Sequence, residues 1–286
     1  MSMVELHRLM LRDRQRNRQF ITAVSQVVKS GDVVIDLGAG TGFLAMAAAR
    51  AGAKRVYAIE AADVAGLGQQ ITEDNGFGKI VRWIAQPSTE VQLSQKADVL
   101  VSEIFGSHPF EENAHEFIRD ARKRLLKPNA RIVPRAVRVY VAAANFAAQR
   151  DDWDLFAQPI EGFDFSRLRQ FSIESMYAHE GAQLLSPPVL VETVELGGEV
   201  QSRRFQKAEL VVTTAGEMSG LVQWFELDLC DGVTLSTAPA EPRTHWRQIF
   251  YPLREPRAVK ADERLRVEIS LDTRIEQPLS VRWKIE

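Results

Sequence analysis

Two carboxylates, Glu103 and Glu112, frame the loop Val101-Ser102-Glu103-Ile104-Phe105-Gly106-Ser107-His108-Pro109-Phe110-Glu111-Glu112. Gly106 and Pro109 forbid a regular element between them. Like charges turned toward one point raise one another's pKa unless a cation sits between them. A guanidinium suits that place, because its planar fork pairs with carboxylates through parallel hydrogen bonds. A second chemical signal precedes the loop in Asp36-Leu37-Gly38-Ala39-Gly40-Thr41-Gly42. Glycines at a strand-to-helix turn let the backbone come close to a ligand at a helix N-terminus. A dinucleotide fingerprint would place its next glycine where Phe43 stands, so a nicotinamide or flavin cofactor is not expected. Glu60 closes the following strand, where a carboxylate can accept from both hydroxyls of a ribose.

These residues need a scaffold, and the chain supplies one by alternation. Apolar runs at Val33–Ile35, Arg55–Ile59, Ile80–Ile84, Ala97–Ser102 and Arg131–Val133 read as strands. Helical spacing runs through Met1–Val28, Phe43–Arg50 and Phe110–Leu126. Strands alternating with helices predict a parallel sheet with helices on its faces, and ligands bind such sheets outside the carboxyl ends of the strands. The acid loop follows one such end. Beyond Pro134 the pattern changes to period two, as in Leu265, Val267, Ile269 and Leu271 and in Leu279, Val281, Trp283 and Ile285. That texture predicts antiparallel β structure, a barrel or a sandwich. Residues 150–188 carry Trp153, Phe156, Phe163, Phe165 and Phe171 without clear period and read as an insertion packing on another surface.

With 286 residues, the chain can build two domains, expected at 1–134 and 135–286. Acidic and basic side chains nearly cancel, 38 against 36, so neither nucleic acid nor a membrane surface is an expected partner. The single cysteine, Cys230, excludes an intramolecular disulfide and a cysteine-rich zinc site, and it reads as a small core residue on a strand. No apolar run approaches the roughly 20 residues needed to cross a bilayer. The N-terminus is too charged for a signal peptide, so the expected location is the cytoplasm.

The glycine turn from Asp36 to Gly42, Ser102-Glu103 with Glu112, and Thr244-His245-Trp246, in this order, resemble the protein arginine methyltransferase family. The resemblance runs from about His7 to the last strand and is weakest between Arg150 and Glu217. It implies an α/β plus β architecture, with a Rossmann-like S-adenosylmethionine-binding domain followed by a β-barrel domain. It also implies methyl transfer to an arginine side-chain nitrogen without a metal. Asp36, Gly38, Gly40 and Gly42 match the cofactor motif, and Glu60 matches the ribose ligand. The spacing of His7, Met10, Leu11, Asp13 and Arg16 matches the helix that covers the cofactor. Arg16 then corresponds to the residue that binds the methionine carboxylate, and Met10 to one lining the substrate pocket. Glu103 and Glu112 fit the double-glutamate loop, His245 matches the histidine that pairs with the aspartate at Asp13, and Trp246 falls in the substrate-binding motif. The family's aromatic and methionine positions around the loop are Ile104, Phe105, Ser107 and Ala114 here, which predicts a differently shaped pocket. The chain begins too close to His7 to carry the family's N-terminal tyrosine motif.

The resemblance implies an arginine-containing protein or peptide as substrate, with free arginine or another small guanidine as the alternative. A methyltransferase-like module that binds without catalysis is disfavoured, because every charged active-site position is kept. A homodimer with an arm within 150–188 is also implied.

Overall fold

The computed structural model describes residues 3–146 and 153–286. Residues 150–152 of the expected arm lie outside that set.

The chain opens with α1 (Met3–Arg12) and α2 (Arg14–Val27). The expected continuous helix is broken at Asp13, whose backbone leaves helical geometry (φ −71°, ψ 90°) while its side chain accepts from the Arg16 amide at 2.9 Å. A short carboxylate at this position caps a new helix better than it continues an old one. Then come β1 (Val33–Leu37), α3 (Phe43–Arg50), β2 (Arg55–Ile59), α4 (Val64–Asp74), β3 (Val81–Ile84), β4 (Ala97–Ser102), α5 (Ala114–Arg124) and β5 (Leu126–Val133). The strands pair in parallel in the order β3-β2-β1-β4-β5. Every residue of β1 is buried, as a sheet covered on both faces requires. The order reverses at β1, which has β2 on one side and β4 on the other, and this switch point is where such sheets hold ligands.

The helix expected from Phe110 starts only at Ala114, because Asn113 takes the left-handed conformation (φ 56°) and two turns precede it. The last strand begins at Leu126 rather than Arg131.

Two compact units divide the chain. The first holds Met1–Val137 together with Val194–Val200 and Glu226–Ser236. Cys230 in the last of these segments is buried and faces the Gln26 amide oxygen of α2 at 3.3 Å. Burial pushes its thiol pKa up, as suits a core cysteine.

The second unit is antiparallel β structure. The strands after Pro134 are β6 (Ala136–Asn145), β7 (Tyr177–His179), β8 (Gln183–Leu184), β9 (Val189–Glu195), β10 (Arg203–Val211), β11 (Gly216–Cys230), β12 (Val233–Ser236), β13 (Gln248–Val259), β14 (Arg264–Asp272) and β15 (Ser280–Ile285). One sheet runs β7-β13-β11-β6-β8 with β12 and β9 attached, and another runs β10-β14-β15. The period-two reading holds along β14, where Leu265, Val267, Ile269 and Leu271 are buried and Arg264 and Arg266 are exposed. Phe146, Trp153, Trp224 and Phe250 build a core, with the Phe146 and Phe250 rings 4.2 Å apart. The expected Rossmann-like domain followed by a β domain is the architecture observed.

Candidate active site

Three neighbouring strands end on one line. Leu37 of β1 is in register with Ile59 of β2 and with Ser102 of β4, so Gly38, Glu60 and Glu103 leave the sheet side by side. Adjacent strands lie about 4.8 Å apart, which sets the width of the row. The Ser102 hydroxyl donates to the Leu37 carbonyl at 2.8 Å and locks β4 to β1 at this level.

The glycine turn is shaped for close approach. Gly38, Gly40 and Gly42 all have positive φ (73°, 54° and 83°). A β-carbon on Gly38 would collide with the Ile104 side chain, and one on Gly40 would stand 2.9 Å from His7 Cε1. Glu60 bridges the turn, accepting from the Gly40 amide at 2.9 Å and from the Ala62 amide at 2.8 Å. Gly42 begins α3 over the indole of Trp83, which donates to Thr72 at 3.3 Å.

Asp36 lies beneath this turn with 1% of its surface exposed. No side chain among the described residues hydrogen-bonds its carboxylate, which faces the Ala45 amide of α3. Burial pushes its pKa up to about 7, the Ala45 amide of α3 opposes this in part, and Glu60 adds to it.

Arg16 enters the row from α2. It shares a helical stripe with the core residues Phe20, Ala23 and Val24, so the helix that packs on the unit must carry its side chain inward. Its guanidinium is buried and holds Glu103, with Nε donating to Oε2 at 2.6 Å and the Nη2 atom donating to the same oxygen. Nη1 donates to the Asn17 side chain at 2.9 Å, and the rings of Phe20 and Phe43 lie 5.9 Å from the guanidinium carbon. Phe43, which breaks the dinucleotide pattern, thus serves as a wall for Arg16. Its use was not legible beforehand, though its misfit with the glycine fingerprint marked the position.

His7 and Met10 are half-buried on α1. Burial lowers the His7 pKa, while Glu60 raises it, Arg16 lowers it and Glu103 raises it. His7 and Asp36 therefore feel the same three charged groups. Three carboxylates, Asp36, Glu60 and Glu103, face one guanidinium, which leaves the row anionic and receptive to cations.

The remainder of the acid loop is pinned and then released. Phe105, His108 and Phe110 are buried, whereas Glu111 and Glu112 are exposed. The Glu111 carboxylate folds back over Gly106. Glu103 is thus the enclosed acid of the pair and Glu112 the open one.

His245 and Trp246 belong to the second unit. Their rings lie 4.2 Å apart. Trp246 is 2% exposed and meets Phe225 edge-on at 5.5 Å. The indole packs within its own unit.

The family model for the arginine methyltransferase oligomerization subdomain matches residues 135–286, and that for ribosomal protein L11 methyltransferase matches residues 18–132. The chain is similar to an arginine N(omega)-methyltransferase of Streptomyces achromogenes subsp. streptozoticus, 32% identical over 92% of this chain and 75% of that protein. It is also similar to protein arginine N-methyltransferase 1 of Chlamydomonas reinhardtii, 26% identical over 98% of this chain and 86% of the relative. In fold it resembles the Trypanosoma brucei PRMT1 enzyme-prozyme heterotetrameric complex with AdoHcy, with a TM-score of 0.90 at 23% identity over 98% of this chain and 92% of that one.

Proposed function

The chain belongs to the arginine methyltransferase family, and from that premise we propose that it methylates a guanidino nitrogen of arginine held within a protein or peptide. It is an S-adenosylmethionine-dependent arginine N-methyltransferase. The observation that carries the reading is the row of strand ends, where acids outnumber the single cation Arg16 and Glu103 already grips a guanidinium.

The residues of the row fit S-adenosylmethionine. Gly38 and Gly40 bring the turn's backbone against Ile104 and His7, Glu60 offers a carboxylate for ribose hydroxyls, and Arg16 offers a cation for the methionine carboxylate. The buried Asp36 carboxylate, which no side chain among the described residues hydrogen-bonds, suits a cationic or hydrogen-donating group. When bound, S-adenosylmethionine supplies an electrophilic methyl carbon on a sulfonium, whose bond to sulfur breaks as the bond to nitrogen forms.

The protein's own task is electrostatic and geometric. Arginine arrives as a cation, its pKa above about 12, and must approach a second positive centre. Two unit charges about 4 Å apart repel by roughly 4 kcal/mol at an effective dielectric of 20. Glu103 and Glu112 bring two negative charges against those two positive ones. Their oxygens also orient the planar fork by paired hydrogen bonds, so that one nitrogen faces the methyl group. The methylated nitrogen becomes acidic and releases a proton. Glu112, exposed on the loop, is the acceptor in this proposal.

Radiolabelled S-adenosylmethionine offered an arginine-rich peptide in one tube and free arginine in another tests the substrate class. Label in the peptide is expected. Label in free arginine alone would overturn the assignment.

The enzyme is further proposed to act as a homodimer. Its β unit matches a subdomain described by oligomerization, and Phe163, Phe165 and Phe171 expose 69%, 41% and 67% of their surfaces within one short segment. Light scattering should give a dimer, and Phe163→Asp with Phe171→Asp should give a monomer. A monomer before substitution removes the idea. A cytoplasmic location is proposed on the single buried thiol and would be tested by fractionation.

A further inference from the structure

The acid loop carries a histidine that the reaction does not use. His108 is fully buried midway between Glu103 and Glu112, and its Nδ1 accepts from the Phe110 amide at 3.3 Å. The imidazole nitrogen thus serves the backbone of its own loop.

The bond sits inside a turn. The Glu111 amide donates to the His108 carbonyl at 3.0 Å, which makes His108 the first residue of a four-residue turn with Pro109 second. In such turns a side-chain acceptor on the first residue can capture the amide two residues on, as Asn and Asp commonly do. Here the imidazole does so. A second turn follows, with the Asn113 amide donating to the Phe110 carbonyl at 3.3 Å. Asn113 then accepts from the Glu116 and Phe117 amides and starts α5.

The two turns meet at Phe110, which is 1% exposed. Its ring lies 5.6 Å from His108 and meets His115, in the first turn of α5, edge-on at 5.3 Å. Glu111 and Glu112 therefore stand as a short outcrop between buried rings on either side.

We propose that His108 is a positioning residue of the methyl-transfer site, its Nδ1 bond to the Phe110 amide setting the turn that aims Glu112. The inference rests on the arginine methyltransferase reading given above. His108 is fully buried beneath the loop and acts through the loop backbone.

Two substitutions separate the acceptor from the ring. His108→Asn keeps an acceptor placed to reach the amide two residues on, whereas His108→Leu fills the space and offers none. Hydrogen–deuterium exchange, followed without any arginine substrate, should accelerate about tenfold or more over residues 110–113 in His108→Leu and stay within about threefold in His108→Asn. Turnover with an arginine peptide should fall about tenfold in His108→Leu, with KM and S-adenosylhomocysteine affinity within about twofold, and His108→Asn should restore most of it. Unchanged exchange and turnover in His108→Leu overturn the proposal. So do equal defects in both variants, which would make ring packing the whole effect, and so does loss of S-adenosylhomocysteine binding in His108→Leu, which would mark a general collapse. If the unsubstituted protein methylates no arginine compound, the arginine reading fails, and the exchange comparison alone decides whether His108 sets the turn.

Discussion

Removing either partner of the Arg16–Glu103 pair should destabilise the first unit strongly and unequally. Both side chains are buried, 7% and 3% exposed, and breaking a buried pair by deleting one member costs about 3–5 kcal/mol. Glu103→Ala leaves a guanidinium that still donates to Asn17 and still lies between the Phe20 and Phe43 rings, so its cost should fall near 3 kcal/mol. Arg16→Ala removes the cation from a row that also holds Asp36 and Glu60, so its cost should approach about 5 kcal/mol. The double variant should cost less than the sum by about 2–4 kcal/mol, consistent with roughly 4 kcal/mol of attraction between unit charges about 4 Å apart at a dielectric of 20. Native-state hydrogen exchange at Ile35 and Leu100, both fully buried in the parallel sheet, reads the opening of this unit alone. Single effects that add to within about 0.5 kcal/mol, or a smaller cost for Arg16→Ala than for Glu103→Ala, would refute the charge balance assigned to the row.

Asp36 should make stability fall as pH rises. It ionises near 7 folded against an ordinary value of 3.8, so the unfolded chain loses its proton first, and stability drains away between about pH 4 and 7 by at most about 4 kcal/mol. Asp36→Asn should flatten that part of the curve, and urea unfolding of both proteins from pH 4.5 to 8 giving parallel curves would contradict it. Gly38→Ala should cost about 1–3 kcal/mol through its positive φ and the collision with Ile104, and should abolish S-adenosylhomocysteine binding. Calorimetric titration reads the affinity, and trimming Ile104→Ala alongside should recover part of the stability but not of the backbone strain.

The parts of the site that sequence alone revealed are those built by neighbours in the chain. The Asp36–Gly42 turn follows from a strand meeting a helix through glycines, and Glu60 follows from the next strand's end, because both are local consequences of alternation. The parallel sheet then brings Glu103 to the same line through pairing of β1 with β4. The Arg16–Glu103 pair was not legible in this way. The two residues are joined only after α2 packs inward, and the same arginine read alone is one of four in a cationic stretch. Asp13 looked like an interruption in a charged helix and proved to be the cap of a new one. Trp246 and His108 were hidden for a related reason, since residue type does not reveal whether a ring is a wall of a site or a peg beneath it. Glu226–Ser236 joins the first unit although its strands look like any other β sequence, because period two records which face is buried but not against what.

The central claim is that two acids on one loop together hold a guanidinium for methylation, and Glu112→Gln tests it with the least disturbance, because Glu112 is exposed while Glu103 is enclosed with Arg16. Turnover with an arginine peptide should be measured beside calorimetric binding of S-adenosylhomocysteine. The account predicts a fall in kcat of about a hundredfold or more with cofactor affinity and stability unchanged. A variant that turns over within about threefold of the parent protein contradicts it.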